Sequence, residues 1–123
     1  MGFFVEETRI TPSISIEKGI VNIKGRSIPE DAFAFFNPVL KACEEYIKDP
    51  PENTDINVHL DYVNSGSKKF LTNILSVFER CYLKGSNFII NWYYDADDEA
   101  MHDLGIDLKG IMKIPLQIIE SEE

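Results

Sequence analysis

Apolar and polar residues alternate along 11–16 (Thr-Pro-Ser-Ile-Ser-Ile) and again along 20–24 (Ile-Val-Asn-Ile-Lys). Period two marks a half-buried strand, and Glu17-Lys18-Gly19 between the runs predicts a β-hairpin. Gly25-Arg26-Ser27-Ile28-Pro29-Glu30-Asp31 breaks the pattern and supplies the proline and acids of a helix start. From Ala32 to Lys48 the period becomes helical, with Phe33, Phe36, Val39, Leu40, Cys43 and Ile47 on one stripe. Asp49-Pro50-Pro51-Glu52-Asn53 ends that helix, because proline lacks the amide a further turn needs.

Residues 55–62 alternate again, Ile56, Val58, Leu60 and Tyr62 on one face and Asn57, His59 and Asp61 on the other. A strand buried on both faces would be continuously apolar, so the sheet is expected to have one less-covered face. Ser67 to Lys84 forms a second amphipathic helix with Phe70, Leu71, Ile74, Leu75, Phe78, Cys81 and Tyr82 buried, stopped by Gly85. Asn87 to Tyr94 is rich in β-formers, Asp95 to Leu104 predicts a short helix stopped by Gly105, and Pro115 to Ile119 predicts an edge strand. The order β-β-α-β-α-β-α, closed by that edge strand, is that of an α/β domain. Neither a linker nor a repeat divides residues 1–123, so the chain reads as a single domain.

Composition narrows the function. With 21 acidic against 12 basic residues the net charge is −9, which disfavours nucleic acid and anionic membranes as partners. No apolar run approaches the roughly 18 residues needed to cross a bilayer. The start, Met1-Gly2-Phe3-Phe4-Val5-Glu6-Glu7, has neither the basic flank nor the long apolar stretch of a signal peptide, so a cytoplasmic protein is expected. Cys43 and Cys81 lie at helical apolar positions and read as reduced core thiols. No cofactor or metal site is expected: the two cysteines lack zinc spacing, and His59 and His102 have no ligand cluster beside them in the sequence.

Catalytic motifs are absent too: the chain has neither a nucleophile elbow nor a phosphate-cradling glycine loop with lysine. Asp61 precedes Ser65 by four residues, yet a base without an orienting partner or an oxyanion hole does not make a nucleophile. An enzyme is therefore not expected. The acidic run Asp95, Asp97, Asp98, Glu99 offers a weaker alternative, a small metal-dependent enzyme, but acids also suit the first turn of a helix without metal. The remaining feature is Asn64-Ser65-Gly66-Ser67, between a strand and a helix. There Gly66 permits positive φ, Ser67 caps the helix, Asn64 closes an Asx-type turn, and Ser65 is an exposed hydroxyl beside free amides. A phosphate on it would meet the positive end of the helix dipole, with Lys68 and Lys69 close behind.

Several stretches in order carry a resemblance: Thr11-Pro12, Gly25-Arg26-Ser27 with Pro29-Glu30, Leu60-Asp61-Tyr62-Val63-Asn64-Ser65, Trp92-Tyr93-Tyr94-Asp95 with Met101, Gly105, and Ile114-Pro115-Leu116. Together they resemble the SiaC-like family of bacterial regulatory phosphoproteins, whose shape is similar to that of anti-sigma-factor antagonists (STAS domains). The resemblance implies a STAS-like α/β fold, a β-hairpin followed by alternating helices and strands in one mixed sheet, with helices mainly on one face. Where the family's turn reads Asn-Thr-Ser-Ser with Thr as phosphoacceptor, this chain has Asn64, Ser65, Gly66 and Ser67. The acceptor is then Ser65. The resemblance further implies a partner-switching protein, phosphorylated by a kinase of the family's operon type and restored by a PP2C-type phosphatase. Its unmodified form would bind an effector such as a diguanylate cyclase, in cyclic-di-GMP signalling, through a surface around Ser67, Lys68, Lys69 and Thr72. The alternative is a constitutive binding module of the anti-sigma-factor-antagonist kind, without phosphorylation.

Overall fold

The computed structural model describes residues 2–122 of the chain. Its elements are β1 (Phe3–Val5), β2 (Ser13–Glu17), β3 (Ile20–Ser27), α1 (Ala32–Tyr46), β4 (Asn53–Val63), α2 (Ser65–Leu83), β5 (Asn87–Tyr94), α3 (Glu99–Ile111) and β6 (Leu116–Glu120). The six strands form one sheet in sequence order. β1, β2 and β3 pair antiparallel, and β3 through β6 run parallel, joined by the three helices. Parallel crossovers are right-handed, so successive crossovers in one direction place their helices on the same face. The expected architecture, a mixed sheet with its helices on one face, is the one observed.

The covered face holds Ile14, Ile16, Val21, Ile23, Ile56, Val58, Leu60, Ile90 and Trp92, packed against Phe36, Val39, Cys43, Leu71, Ile74, Leu75 and Phe78. The other face carries polar side chains on the same strands. Asn22, Asn57 and Asn91 stand in register across β3, β4 and β5. The Asn91 amide donates to Asn57 Oδ1 at 2.8 Å, and that of Asn57 to Asn22 Oδ1 at 3.0 Å. The polar half of the alternation in 55–62 is thus a ladder on the less-covered face.

Four local expectations are corrected. β1 was not anticipated, because Phe3-Phe4-Val5 is short and does not alternate, and its strand character comes from pairing with β2. The alternation in β4 changes phase near its end: Tyr62 is 55% exposed, while Val63 is buried. Its cause is a bulge opposite β3, where Gly25 pairs with Leu60 but Arg26 pairs with Tyr62, so Asp61 is left over. Phe33, placed on the buried stripe of α1, is 64% exposed. Finally, α3 neither begins at Asp95 nor stops at Gly105. Asp98 caps it through a bond from the Met101 amide at 3.1 Å, and it continues to Ile111. Gly105 is small for another reason: a Cβ there would lie 2.5 Å from Trp92 Cδ1.

Gly85 does terminate α2, at φ +117° with its amide bonded to Tyr82 O, a conformation that favours glycine. Cys43 and Cys81 are buried free thiols, and burial, assisted by the charge of Glu44, pushes the Cys43 thiol up to about 12. A thiol so disfavoured as thiolate is an inert core group.

Candidate functional site: the turn between β4 and α2

After the bulge at Asp61 the chain turns once more into the core at Val63 and emerges at Asn64. Asn64 is extended (φ −82°, ψ 173°), and its Oδ1 accepts from the Ser67 amide at 2.9 Å. Its own amide donates to Ser27 O at 3.0 Å, tying the helix start to the end of β3. Asn64 is therefore the N-cap of α2. The expectation that Ser67 caps the helix is wrong by three residues, since Asn64 at the strand end already supplies the acceptor.

Ser65 becomes the first helical residue, and its side chain is exposed. The amides of Ser65 and Gly66 find no acceptor among the described residues, as the first turn of a helix dictates. Gly66 does not use positive φ, contrary to the turn reading. Its value is closeness: a Cβ would meet Ala32 Cβ at 3.3 Å, so the first turn of α2 lies against the first turn of α1. Ser67 points inward. It is 1% exposed, and its Oγ accepts from Ser27 Oγ at 2.7 Å. A side chain so buried offers nothing to a docking protein, which removes Ser67 from the expected partner surface.

The two buried hydroxyls satisfy each other, so removing one strands the other in an apolar setting. Ser67→Ala or Ser27→Ala is expected to cost about 1–3 kcal/mol, and the double variant less than the sum. Urea unfolding of the four proteins measures this; additive losses would contradict the pairing.

Lys68 and Lys69 are exposed and form no ion pair among the described residues. Thr72 is half-buried and donates its hydroxyl to Lys68 O at 2.9 Å, which occupies it within its own helix. One aromatic residue that the sequence placed in the core borders this surface. Phe33, on the first turn of α1, lies 6.4 Å centroid to centroid from Phe70, which in turn stacks on buried Phe36 at 5.4 Å. Tyr62 is exposed as well, but on the less-covered face of the sheet, since its neighbour Val63 turns into the core. A chain of net charge −9 therefore presents here a positive helix end, two lysines and an open aromatic ring.

Among the described residues, Asp61 and Ser65 share no hydrogen bond. The acids of the alternative metal enzyme are dispersed in role. Asp98 caps α3, Asp95 Oδ1 lies 3.0 Å from His59 Nε2, and Asp97 is exposed.

Comparison with known proteins follows the same direction. The model of the SiaC family regulatory phosphoprotein matches residues 5–121. An uncharacterized protein of Pseudomonas aeruginosa strain UCBPP-PA14 is 25% identical over 118 residues, covering 94% of each chain. The solved SiaC of Pseudomonas aeruginosa has the same fold, with TM-score 0.89 at 23% identity over 98% of this chain and 99% of that one. A chain in the structure of the diguanylate cyclase SiaD with its activator SiaC, from the same organism, matches with TM-score 0.88 at 24% identity, covering 97% and 99%. With a family model that spans all but the ends, this protein belongs to the SiaC family of regulatory phosphoproteins.

Proposed function

We infer that this regulator, which is not an enzyme, is switched at Ser65. The observation that carries the reading is the contrast between two serines of one helical turn: Ser65 is exposed and unbonded, whereas Ser67 is buried and paired with Ser27. A kinase of the family's operon type transfers phosphate to Ser65, and a PP2C-type phosphatase removes it. The unmodified protein docks on its effector through the surface around Ser65, with Phe33, Lys68 and Lys69 as contacts and Thr72 at its margin. Because a SiaC of Pseudomonas aeruginosa is the activator of a diguanylate cyclase, an enzyme of that class is the effector expected here, in the cytoplasm.

The phosphate adds about −1.5 to −2 charge and three strong acceptors. Its field is screened within about 8 Å at physiological salt, so it acts on contacts at the turn and not across the domain. A pull-down from lysate of the source cells, with Ser65→Ala and Ser65→Asp as baits, tests the switch. Retention of a cyclase by Ser65→Ala and its loss from Ser65→Asp are expected. Equal retention by both would favour a constitutive binding module instead.

A further inference from the structure

The less-covered face holds a second group of side chains that the phosphoswitch does not use. His59 and Asp61 come from the end of β4, and Asp95 from the residue after β5. Their ligand atoms, one imidazole nitrogen and two carboxylate oxygens, all lie within 4.8 Å of one another. We propose that His59, Asp61 and Asp95 bind one divalent transition-metal cation.

Three features build this site beyond proximity. First, spacing: His59 Nε2 and Asp95 Oδ1 are 3.0 Å apart. Two donors that each stand about 2.0–2.2 Å from a shared ion are separated by roughly 3.0–3.4 Å in octahedral or tetrahedral geometry. Second, backbone: Asp61 is the residue left over at the bulge between β3 and β4, and bulges re-aim side chains beside sites. Its carboxylate finds no hydrogen bond or ion pair among the described residues, so no cation of the protein competes for it. Asp95 is held by its own carbonyl, which accepts from the Asp98 amide at 2.9 Å in the turn before α3. Third, location: the donors gather near the ends of adjacent parallel strands, on the face that the helices leave open.

The donor set selects the ion. An imidazole with two carboxylates suits zinc or manganese, whereas magnesium and calcium prefer oxygen donors alone. Lys24, opposite His59 on β3, is exposed and unpaired, so its amine is free to extend into solvent away from a bound cation. Three protein ligands leave coordination positions open for water or a partner's side chain. Asp61 lies four residues before Ser65, so an ion there would steady the strand end that leads into the turn.

Calorimetric titration of the full-length protein with zinc chloride tests the assignment. One equivalent is expected to bind, and magnesium far more weakly. His59→Ala and Asp61→Asn are each expected to weaken zinc by about tenfold or more, the range that loss of even a supporting group produces. Asp61→Asn keeps the His59–Asp95 bond, so its fold is preserved if circular dichroism and melting match the unaltered protein. His102→Ala, at the other histidine, which bonds Asp103 in α3, should bind as before. Absence of zinc binding, magnesium binding as tight as zinc, unchanged affinity in Asp61→Asn, or loss of binding in His102→Ala would each overturn the proposal.

Discussion

Phosphorylation of Ser65 is expected to weaken effector binding by about tenfold or more, which is about 1.4 kcal/mol for each factor of ten. The estimate follows from what surrounds the hydroxyl. Phe33 is an open ring, 64% exposed, and it contributes to docking only when water leaves it. A dianion on the same surface must be desolvated with it, or must hold the surfaces apart. Two effects oppose this. The free amides of Ser65 and Gly66 and the helix dipole stabilise the phosphate, and Lys68 and Lys69 neutralise part of its charge. Those interactions form in the free protein as well, so they compete with partner contacts and do not restore them. Binding of phosphorylated and unphosphorylated protein to the purified effector, followed by calorimetry, measures the difference. Raising salt should narrow the gap, because exposed charges are screened beyond about a Debye length. Equal affinities would place the docking surface elsewhere.

The largest loss of stability is expected for Trp92→Ala, about 3–5 kcal/mol. Trp92 is fully buried, and its Nε1 donates to Met101 O at 2.8 Å, which fastens α3 to β5. Truncation leaves a cavity beneath α3 and removes the side-chain bond that ties the helix to β5. Gly105 belongs to the same contact. Alanine at 105 would gain about 1 kcal/mol of helix propensity, but its methyl would lie 2.5 Å from an indole that cannot move aside. Overpacking of that kind costs about 1–3 kcal/mol, so Gly105→Ala is expected to destabilise. In a Trp92→Ala background, where the clashing ring is gone, the same change should cost less. Urea unfolding of the set checks both; a more stable Gly105→Ala protein would contradict the packing.

These residues also mark what was legible from the chain. Strand alternation in 55–62 anticipated a sheet with one polar face, and the helical stripe in 67–84 placed α2 and its stop at Gly85, because both signals are local periodicities. Gly105 looked like a stop because a glycine near a helix end commonly is one. Only the approach of Trp92, 13 residues earlier in the chain, reveals it as a contact glycine. Tyr62 and Val63 exchanged faces through a bulge that depends on pairing with β3, which no alternation within β4 encodes. Phe33 satisfies the apolar period of α1 yet lies on its first turn, where it stays exposed beside Phe70.

The turn itself was half legible. Asn, Ser, Gly and Ser in succession announce a helix start, and the sequence resemblance singled out Ser65. The roles of its neighbours required tertiary structure: Ser67 is buried because Ser27 ends β3 beneath it, and Gly66 is small because Ala32 abuts it. The His59–Asp61–Asp95 group was invisible for the same reason, since 34 residues separate its second and third members.

Phosphosite mapping is the most direct test of the central claim. Protein isolated from its source cells, with and without treatment by a PP2C-type phosphatase, is digested and the phosphopeptides sequenced by mass spectrometry. A single phosphate on Ser65, removed by the phosphatase and absent from Ser65→Ala, is the expected result. Phosphate on Ser67 or Thr72, or undiminished modification of Ser65→Ala, would contradict the account.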